Sequence, residues 1–440
     1  MHFARNSKED LSAESYYHGY LPRKDVEQLL KEDGDFLVRT ISDDAEKHQV
    51  VSVRWADQCH HIQIKKVKGK PNVYIHLYSF EDIPKLIRFY NERKMALSDK
   101  TDAKLLNPVP RQAWELLHEQ IKLRKKIGEG AYGAVYSGML QVNRDLAVPV
   151  AVKQHHMEDM KTSAAKNQLE EIMREARLQR QYVHVNIVRF YGVAAKEQPL
   201  MIVMELVRGG ALDKFLVKHA SKIKDVDRLS FSLDAANGLQ YLHEKNCIHR
   251  DIAARNCLVT QQRKVKISDF GLSQEVLDVF RQQHTTKVPV RWIAPEVFTT
   301  MTYTKKTDVY SFSVLLYEIF SGAAFPYKGM EAQQVKNHVI SGGRLEFPAR
   351  TPEPVLTLVR RCWHADADKR PAFSEIAERL DAMHKQESAT TDEKKSTRSR
   401  VGSVKTPEPA KGSGETLSVQ NQSSPSKTKE TAYESDKQTT

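Results

Sequence analysis

The chain has 440 residues, a formal net charge of +12 and 40% hydrophobic residues, which is length enough for two or three domains with ordinary buried cores. Its four cysteines, Cys59, Cys247, Cys257 and Cys362, show no C-x-x-C spacing, so reduced thiols in a cytosolic protein are expected rather than a zinc or redox pair. No apolar run approaches the ~18 residues of a membrane span. The start Met1-His2-Phe3-Ala4-Arg5 lacks a secretory apolar core, and His2 stands where N-myristoylation needs glycine. The positive charge suits nucleic acid or anionic lipid. No nucleic-acid module accompanies it, so no nucleic-acid partner is expected, while peripheral association with a membrane is compatible with it.

From Ser15 to Asp102, short β-like runs (Asp35 to Arg39, Gln49 to Arg54, His60 to Ile64, Val73 to Leu77) lie between helical patterns at Arg23 to Leu30 and Ile83 to Tyr90. This predicts a compact α+β domain over residues 15–103. Asn107-Pro108-Val109-Pro110 predicts an irregular linker, residues 104–118, because neither proline can donate to a ladder. Residues 119–385 are strand-rich at first and then mostly helical. Residues 386–440 are rich in Ser, Thr, Lys, Glu and Pro, and predict a disordered tail that cannot offset its ordering entropy. The tail carries Thr406-Pro407, Ser424-Pro425 and Tyr433 as candidate modification sites.

Within the large region the most informative stretch is Ile248-His249-Arg250-Asp251-Ile252-Ala253-Ala254-Arg255-Asn256. It resembles the H-R-D-x-x-x-x-N catalytic loop of protein kinases, in which the Asp takes the proton of the attacking hydroxyl and the Asn holds a metal ion. Ala253 and Arg255 match the tyrosine-specific branch, which has Arg four residues after the Asp where serine/threonine kinases have Lys after two. Gly128-Glu129-Gly130-Ala131-Tyr132-Gly133-Ala134-Val135 matches the glycine-rich loop over the ATP phosphates, where a close backbone leaves no room for side chains.

The resemblance assigns further roles in the family's order. Lys153, in Val150-Ala151-Val152-Lys153, would hold the α- and β-phosphates. Glu175 is its best helix-C partner, with Glu170 and Glu171 as alternatives. Met204 is the gatekeeper, and Glu205 and Val207 lie on the hinge that binds adenine. Asp269 of Asp269-Phe270-Gly271 joins Asn256 as a ligand of Mg2+ (or Mn2+). Asp308 anchors the catalytic loop, and Arg370 pairs with Glu296 of Ala294-Pro295-Glu296.

The first domain carries Tyr16-Tyr17-His18-Gly19 and Phe36-Leu37-Val38-Arg39, and resembles an SH2 domain, a central antiparallel sheet flanked by two helices. Arg39 would grip a phosphate with two parallel charge-assisted bonds. Arg23, Ser42 and His61 match the other phosphotyrosine-binding positions. Tyr16 replaces the usual Trp, and Ile62 stands where Src-like domains have Tyr.

An SH2 domain followed directly by a bilobal kinase fold, with a β-rich N-lobe and an α-rich C-lobe, resembles the Fes/Fer group without its N-terminal membrane-bending region. This implies a cytoplasmic enzyme that uses ATP, acts on protein tyrosine, and meets phosphotyrosine proteins at sites including the inner face of the plasma membrane. It also implies that the SH2 domain favours the active position of helix C, with Trp114 at the junction. Three departures stand out. Phe280 replaces the autophosphorylation tyrosine that pairs with Arg250, leaving Thr285, Thr286, a partner or no phosphorylation at all. Gln179 replaces an apolar helix-C residue, which predicts weaker docking of that helix. Tyr310 and Ser313 replace Trp and Gly on helix F. A rival class is a phosphotyrosine adaptor using the kinase fold as a scaffold; Lys153, Asp251, Asn256 and Asp269 argue against it, Phe280 and Gln179 for it.

Overall fold

The computed structural model describes residues 9–43, 46–130, 133–155, 163–276, 280–281 and 289–401. Ala131, Tyr132, Thr285, Thr286, Thr406, Ser424 and Tyr433 lie outside the described residues, as do the side chains of Ser42 and Phe280.

The first domain is built from β1 (Tyr17–Tyr20), α1 (Arg23–Leu29), β2 (Asp35–Asp43), β3 (Glu46–Trp55), β4 (Gln58–Lys66), β5 (Val73–Ile75), β6 (Tyr78–Phe80) and α2 (Ile83–Arg93). The strands form one sheet in the order β1 to β6, with β1 parallel to β2 and the rest antiparallel. Period-two alternation along β2 serves both faces. Phe36 and Val38 pack with Leu86, Ile87 and Tyr90 of α2, whereas Leu37 packs with Val26 and Leu30 on the α1 side. Asp82 caps α2 by accepting from Lys85 N at 2.9 Å.

A hairpin of β7 (Ala96–Ser98) and β8 (Thr101–Lys104) leads into the segment predicted to be an irregular linker. The structure corrects that expectation. β9 (Asn107–Pro108) pairs parallel with β2, and β10 (Glu115–Leu116) joins the sheet of the next domain. The prolines indeed donate nothing. Val109 N donates to Phe36 O at 2.8 Å, and Leu106 N and Asn107 N share Gly34 O at 3.0 Å. Edge pairing of this kind needs only the donors on either side of a proline.

The second domain opens with β11 (Ile121–Gly130), β12 (Gly133–Gln141), β13 (Ala147–His155), α3 (Ser163–Gln179), β14 (Phe190–Ala194) and β15 (Leu200–Glu205). With β10 these strands form a sheet ordered β10-β14-β15-β13-β12-β11. Then come α4 (Leu212–Lys218), α5 (Asp225–Glu244), β16 (Cys247–Ile248), β17 (Cys257–Val259), β18 (Val265–Ile267), β19 (Gln274–Glu275), β20 (Phe280–Arg281), α6 (Pro295–Thr300), β21 (Thr302–Tyr303), α7 (Lys305–Ser321), α8 (Ala332–Ile340), α9 (Glu353–Cys362) and α10 (Phe373–Val401). The buried helix α7 is the hub of this lobe, with Val309, Phe312, Leu315, Leu316 and Ile319 in its main core.

The described residues up to Ala389 form one compact unit, and those from Thr390 belong to a second. Helix α10 continues to Val401, so residues 386–401, grouped by composition with the tail, are helical. Local pairs explain how a polar segment begins this extension: Lys385 meets Asp381 at 2.6 Å, and Ser388 Oγ donates to His384 O at 2.8 Å. Among the described residues no helix is long and apolar enough to cross a membrane.

The two domains share a core in which Tyr20, Leu21, Val26 and Leu30 pack with Ile172, Met173 and Ala176 of α3. Tyr20 N donates to Ala195 O at 2.8 Å. Gly19 sits at φ +64°, and a Cβ there would lie 2.5 Å from Lys196 Cα, so only glycine permits this approach.

Candidate functional site

A cavity of about 620 Å³ lies between the second sheet and the helical lobe. Along β13, Val150 and Val152 enter the lobe's core, which turns Ala151 and Lys153 to the opposite face and into the cavity. Lys153 Nζ bonds both Glu175 oxygens, at 2.9 and 3.0 Å, and lies 3.7 Å from Asp269 Oδ1. Glu170 and Glu171 are exposed, so α3 presents Glu175 rather than either alternative. Burial pushes the Glu175 carboxyl up, against the pull of Lys153. Burial also acts to raise Asp269, but Lys153 and the Gly271 amide outweigh it and hold Asp269 below the ordinary range. Gly128, Gly133, Val135, Met204, Glu205 and Val207 line the same cavity. The glycine hairpin pairs Gly128 with Val135 and Gly130 with Gly133. Gly133, at φ +141°, has Gln154 O only 1.9 Å from where a Cβ would stand.

The catalytic-loop motif is held from below by α7. The buried Asp308 accepts from His249 N at 2.7 Å, Arg250 N at 3.0 Å and His243 Nε2 at 3.0 Å. This grip holds Arg250 in the left-handed region, at φ 68°, which non-glycine residues seldom adopt; Asp269 also lies there, at φ 64°. Asp251 faces the cavity and takes Asn256 Nδ2 at 2.7 Å and the Arg255 guanidinium. Burial raises the Asp251 carboxyl, with Arg255 opposing. Asn256 Nδ2 also donates to Asp251 O at 2.8 Å. Both bonds use the amide nitrogen, so the oxygen is the atom left for a cation. Two oxygen donors, from Asn256 and Asp269, fit a hard divalent ion that completes its shell with waters and phosphate oxygens.

In the first domain Arg39 is 7% exposed and donates to Leu21 O at 2.8 Å and Ser52 Oγ at 3.3 Å. Ser52 Oγ also bonds His61 Nδ1 at 2.9 Å. Burial, then Arg39, lowers His61 to about 4, so its ring is neutral. Arg23 is largely exposed and pairs with Glu27 at 2.9 Å. The structure thus brings Arg39 and His61 together around Ser52 and leaves Arg23 on the surface.

Arg370 grips Glu296 with two bonds, at 2.6 and 2.9 Å. Gln179 is buried but lines the same cavity, so this polar residue borders a hollow rather than apolar packing alone. Arg250 lies over the Tyr303 ring, 4.1 Å from its centroid, and donates to Leu272 O at 3.0 Å. Burial lowers the Arg250 pKa, and Tyr303 opposes that shift. Backbone pairing sets Phe280 directly opposite Tyr303.

Sequence reasoning missed Asp25, whose buried carboxylate takes Arg177 of α3 at 2.8 and 2.7 Å across the domain junction. A buried acid in an otherwise ordinary helix gave no local signal. It missed Glu318 as well, although a lone acid inside the apolar run Val314-Leu315-Leu316-Tyr317-Glu318-Ile319-Phe320 was readable. Trp114 does stand at the junction, with Arg180 stacked 4.6 Å from its ring.

Fold and site together define a class: a phosphate-reading SH2 domain docked on a bilobal protein kinase domain. The family model for protein tyrosine and serine/threonine kinases matches residues 121–380, and that for the SH2 domain matches residues 16–90. Tyrosine-protein kinase Fer of Rattus norvegicus is 38% identical over 382 residues, covering 85% of this chain and 44% of that protein. The transforming protein Fps of avian sarcoma virus (strain PRCII) is 38% identical over 378 residues, covering 85% and 68%. Fer-related kinase 1 of Caenorhabditis elegans is 37% identical over 377 residues, covering 84% and 94%. The chain belongs to the Fer/Fps family of SH2-containing tyrosine kinases, and it spans less than half the length of the Fer proteins it matches. Protein kinases as a family use ATP and a divalent cation.

Proposed function

We propose that the protein is a non-receptor protein tyrosine kinase, recruited by phosphotyrosine and positively coupled to its SH2 domain. The observation that carries this reading is the convergence of Lys153, Glu175, Asp251, Arg255, Asn256 and Asp269 on one cavity. In the reaction a substrate tyrosine oxygen bonds to the γ-phosphorus, the bond to the β–γ bridging oxygen breaks, and ADP leaves with that electron pair. Asp251 orients the hydroxyl and receives its proton. Arg255 lies beside Asp251 where the tyrosine-specific branch needs it, and Ala253 leaves no lysine there to favour a shorter serine. Lys153, oriented by Glu175, holds the α- and β-phosphates, while the glycine hairpin covers them and Met204, Glu205 and Val207 border the adenine. Asn256 and Asp269 would hold Mg2+ or Mn2+, which neutralises phosphate charge when bound.

Arg39 reads the phosphate of a phosphotyrosine, assisted by the neutral His61 and by Ser42 and Arg23. Binding there supports α3 through the shared core and the Asp25–Arg177 pair. Recruitment follows the phosphotyrosine proteins, in the cytoplasm and at the inner face of the plasma membrane. With Phe280 in the activation segment, Tyr303 supplies the packing for Arg250, and no phosphotyrosine is required there.

The test is to incubate the purified full chain with magnesium and ATP and a mixture of Tyr, Ser and Thr peptides, beside Asp251→Asn. Phosphotyrosine formed only by the unsubstituted chain is the expected result. Transfer to serine would refute the specificity, and no transfer at all would favour a phosphotyrosine-binding scaffold.

A further inference from the structure

Helix α7 presents Asp308, Ser311 and Glu318 on one face, at spacings of three and ten residues. Asp308 carries the catalytic loop. Ser311 Oγ donates to Trp292 O at 2.7 Å. Glu318, 6% exposed, accepts from Ala254 N at 2.9 Å and Trp292 Nε1 at 3.0 Å, both on Oε2. The Trp292 ring in turn carries the Arg255 guanidinium, 4.4 Å from its centroid, and Arg255 donates to Asp251. One buried carboxylate therefore fixes both the backbone just before Arg255 and the aromatic plate against which Arg255 lies.

Burial pushes the Glu318 carboxyl up to about 7, against the Trp292 and Ala254 bonds and the charge of Arg255. A leucine would fill this position without that desolvation cost, so what the carboxylate adds is orientation. The nucleotide end of the cavity is built by other elements, with Lys153 on β13 and Met204 on β15.

We infer that Glu318 is a positioning residue for the phosphoryl acceptor: through Trp292 and the Ala254 amide it sets the plane of the Arg255 guanidinium, and with it the approach of a substrate phenol to Asp251. This rests on the proposed tyrosine transfer and adds the element that orients its specificity residue. Its signature is a defect in peptide use that spares nucleotide use.

The experiment compares the full chain with Glu318→Leu, Glu318→Gln, Trp292→Phe and the Glu318→Leu/Trp292→Phe double variant. It measures KM and kcat for a tyrosine peptide and for ATP, and records the indole N–H resonances, with Trp292 assigned by its loss in Trp292→Phe. Glu318→Leu should raise the peptide KM about tenfold while the KM for ATP moves less than about twofold. Glu318→Gln keeps an acceptor oxygen and should recover most of the loss. Trp292→Phe keeps a ring for Arg255 but removes the donor, so the double variant should be no worse than Glu318→Leu alone. The Trp292 indole resonance should shift in Glu318→Leu. Equal rises in both KM values, a glutamine variant as poor as the leucine, or an unmoved indole with intact transfer would each overturn the positioning role alone. If the unsubstituted chain transfers nothing to tyrosine, the functional reading falls and takes this role with it. Should Glu318→Leu fail to fold, Trp292→Phe decides the matter: it should raise the peptide KM several-fold with the KM for ATP within about twofold, and an unchanged peptide KM would overturn the role.

Discussion

Replacing Asp25 with alanine tests the coupling between the two domains at its buried ion pair. The Asp25 and Arg177 side chains are 2% and 15% exposed, and two bonds of 2.8 and 2.7 Å join them. Removing one partner of a fully buried pair costs ~3–5 kcal/mol, chiefly because the other charge is left unpaired. Arg177 keeps some access to water, so about 2 kcal/mol is the better figure, a shift of roughly 30-fold in the docking equilibrium. The apolar contacts of Val26 and Leu30 with Ile172 and Ala176 survive the substitution, so the domains remain folded. The assay is kcat/KM on an unphosphorylated peptide, which needs no SH2 engagement, together with amide exchange along α3. Asp25→Ala should lower kcat/KM and speed exchange at α3. The exchanged pair Asp25→Arg with Arg177→Asp should recover part of both losses, whereas each single reversal should be worse than alanine. Activity within about twofold of the parent in Asp25→Ala, or an exchanged pair no better than its single variants, would refute the argument.

Arg39→Ala should lower activity toward phosphotyrosine-primed substrates while leaving a small soluble peptide nearly unaffected; equal losses on both, measured side by side, would show that the pocket and the catalytic site are coupled differently. The raised Glu318 carboxyl makes a pH prediction. A group whose folded pKa of about 7 exceeds its unfolded value of 4.5 binds more protons when folded, so its contribution to stability is present at low pH and lost as pH rises from 4.5 to 7. Glu318→Gln should remove a loss of up to ~3 kcal/mol over that window in urea titrations; Arg255 and Asp213 are the charges that act on it. Introducing Phe280→Tyr should create an activation that develops during incubation with ATP and is reversed by a tyrosine phosphatase. The parent chain should show a linear progress curve from the start, and a phosphatase-sensitive lag in the parent would count against phosphate-independent packing of Arg250.

The elements that sequence spacing could reveal are those whose signal is local. Period-two runs marked the strands around Arg39, and the catalytic-loop motif marked Asp251 and Asn256 because five residues suffice to place both beside one cavity. Proline chemistry correctly removed two donors near residue 107 but could not show that Leu106, Asn107 and Val109 would pair instead, because their acceptors on Gly34 and Phe36 lie some 70 residues earlier. Asp25 and Arg177 are 152 positions apart, and nothing in either neighbourhood distinguishes a pair that will be buried from two solvated charges. Gln179 illustrates the opposite case. Its position is conspicuous, yet the weaker docking expected from it presumes sealed packing, and the cavity it lines changes that presumption.

Arg250 shows why a motif read alone can mislead about regulation. Its backbone is held by Asp308 at φ 68°. Its side chain is then a buried cation, and such a group is costly unless a neighbour stabilises it. A phosphate would do so by charge, and would make the arrangement depend on another enzyme or an earlier turnover. The Tyr303 ring does so by its π face, at 4.1 Å and without a covalent event. Because β20 and β21 place position 280 directly across from Tyr303, a phosphotyrosine there would compete for the cation that the ring already holds. A parent chain insensitive to phosphatase, together with an Asp25→Ala variant of reduced activity, would place control at the junction between α1 and α3 rather than in the activation segment.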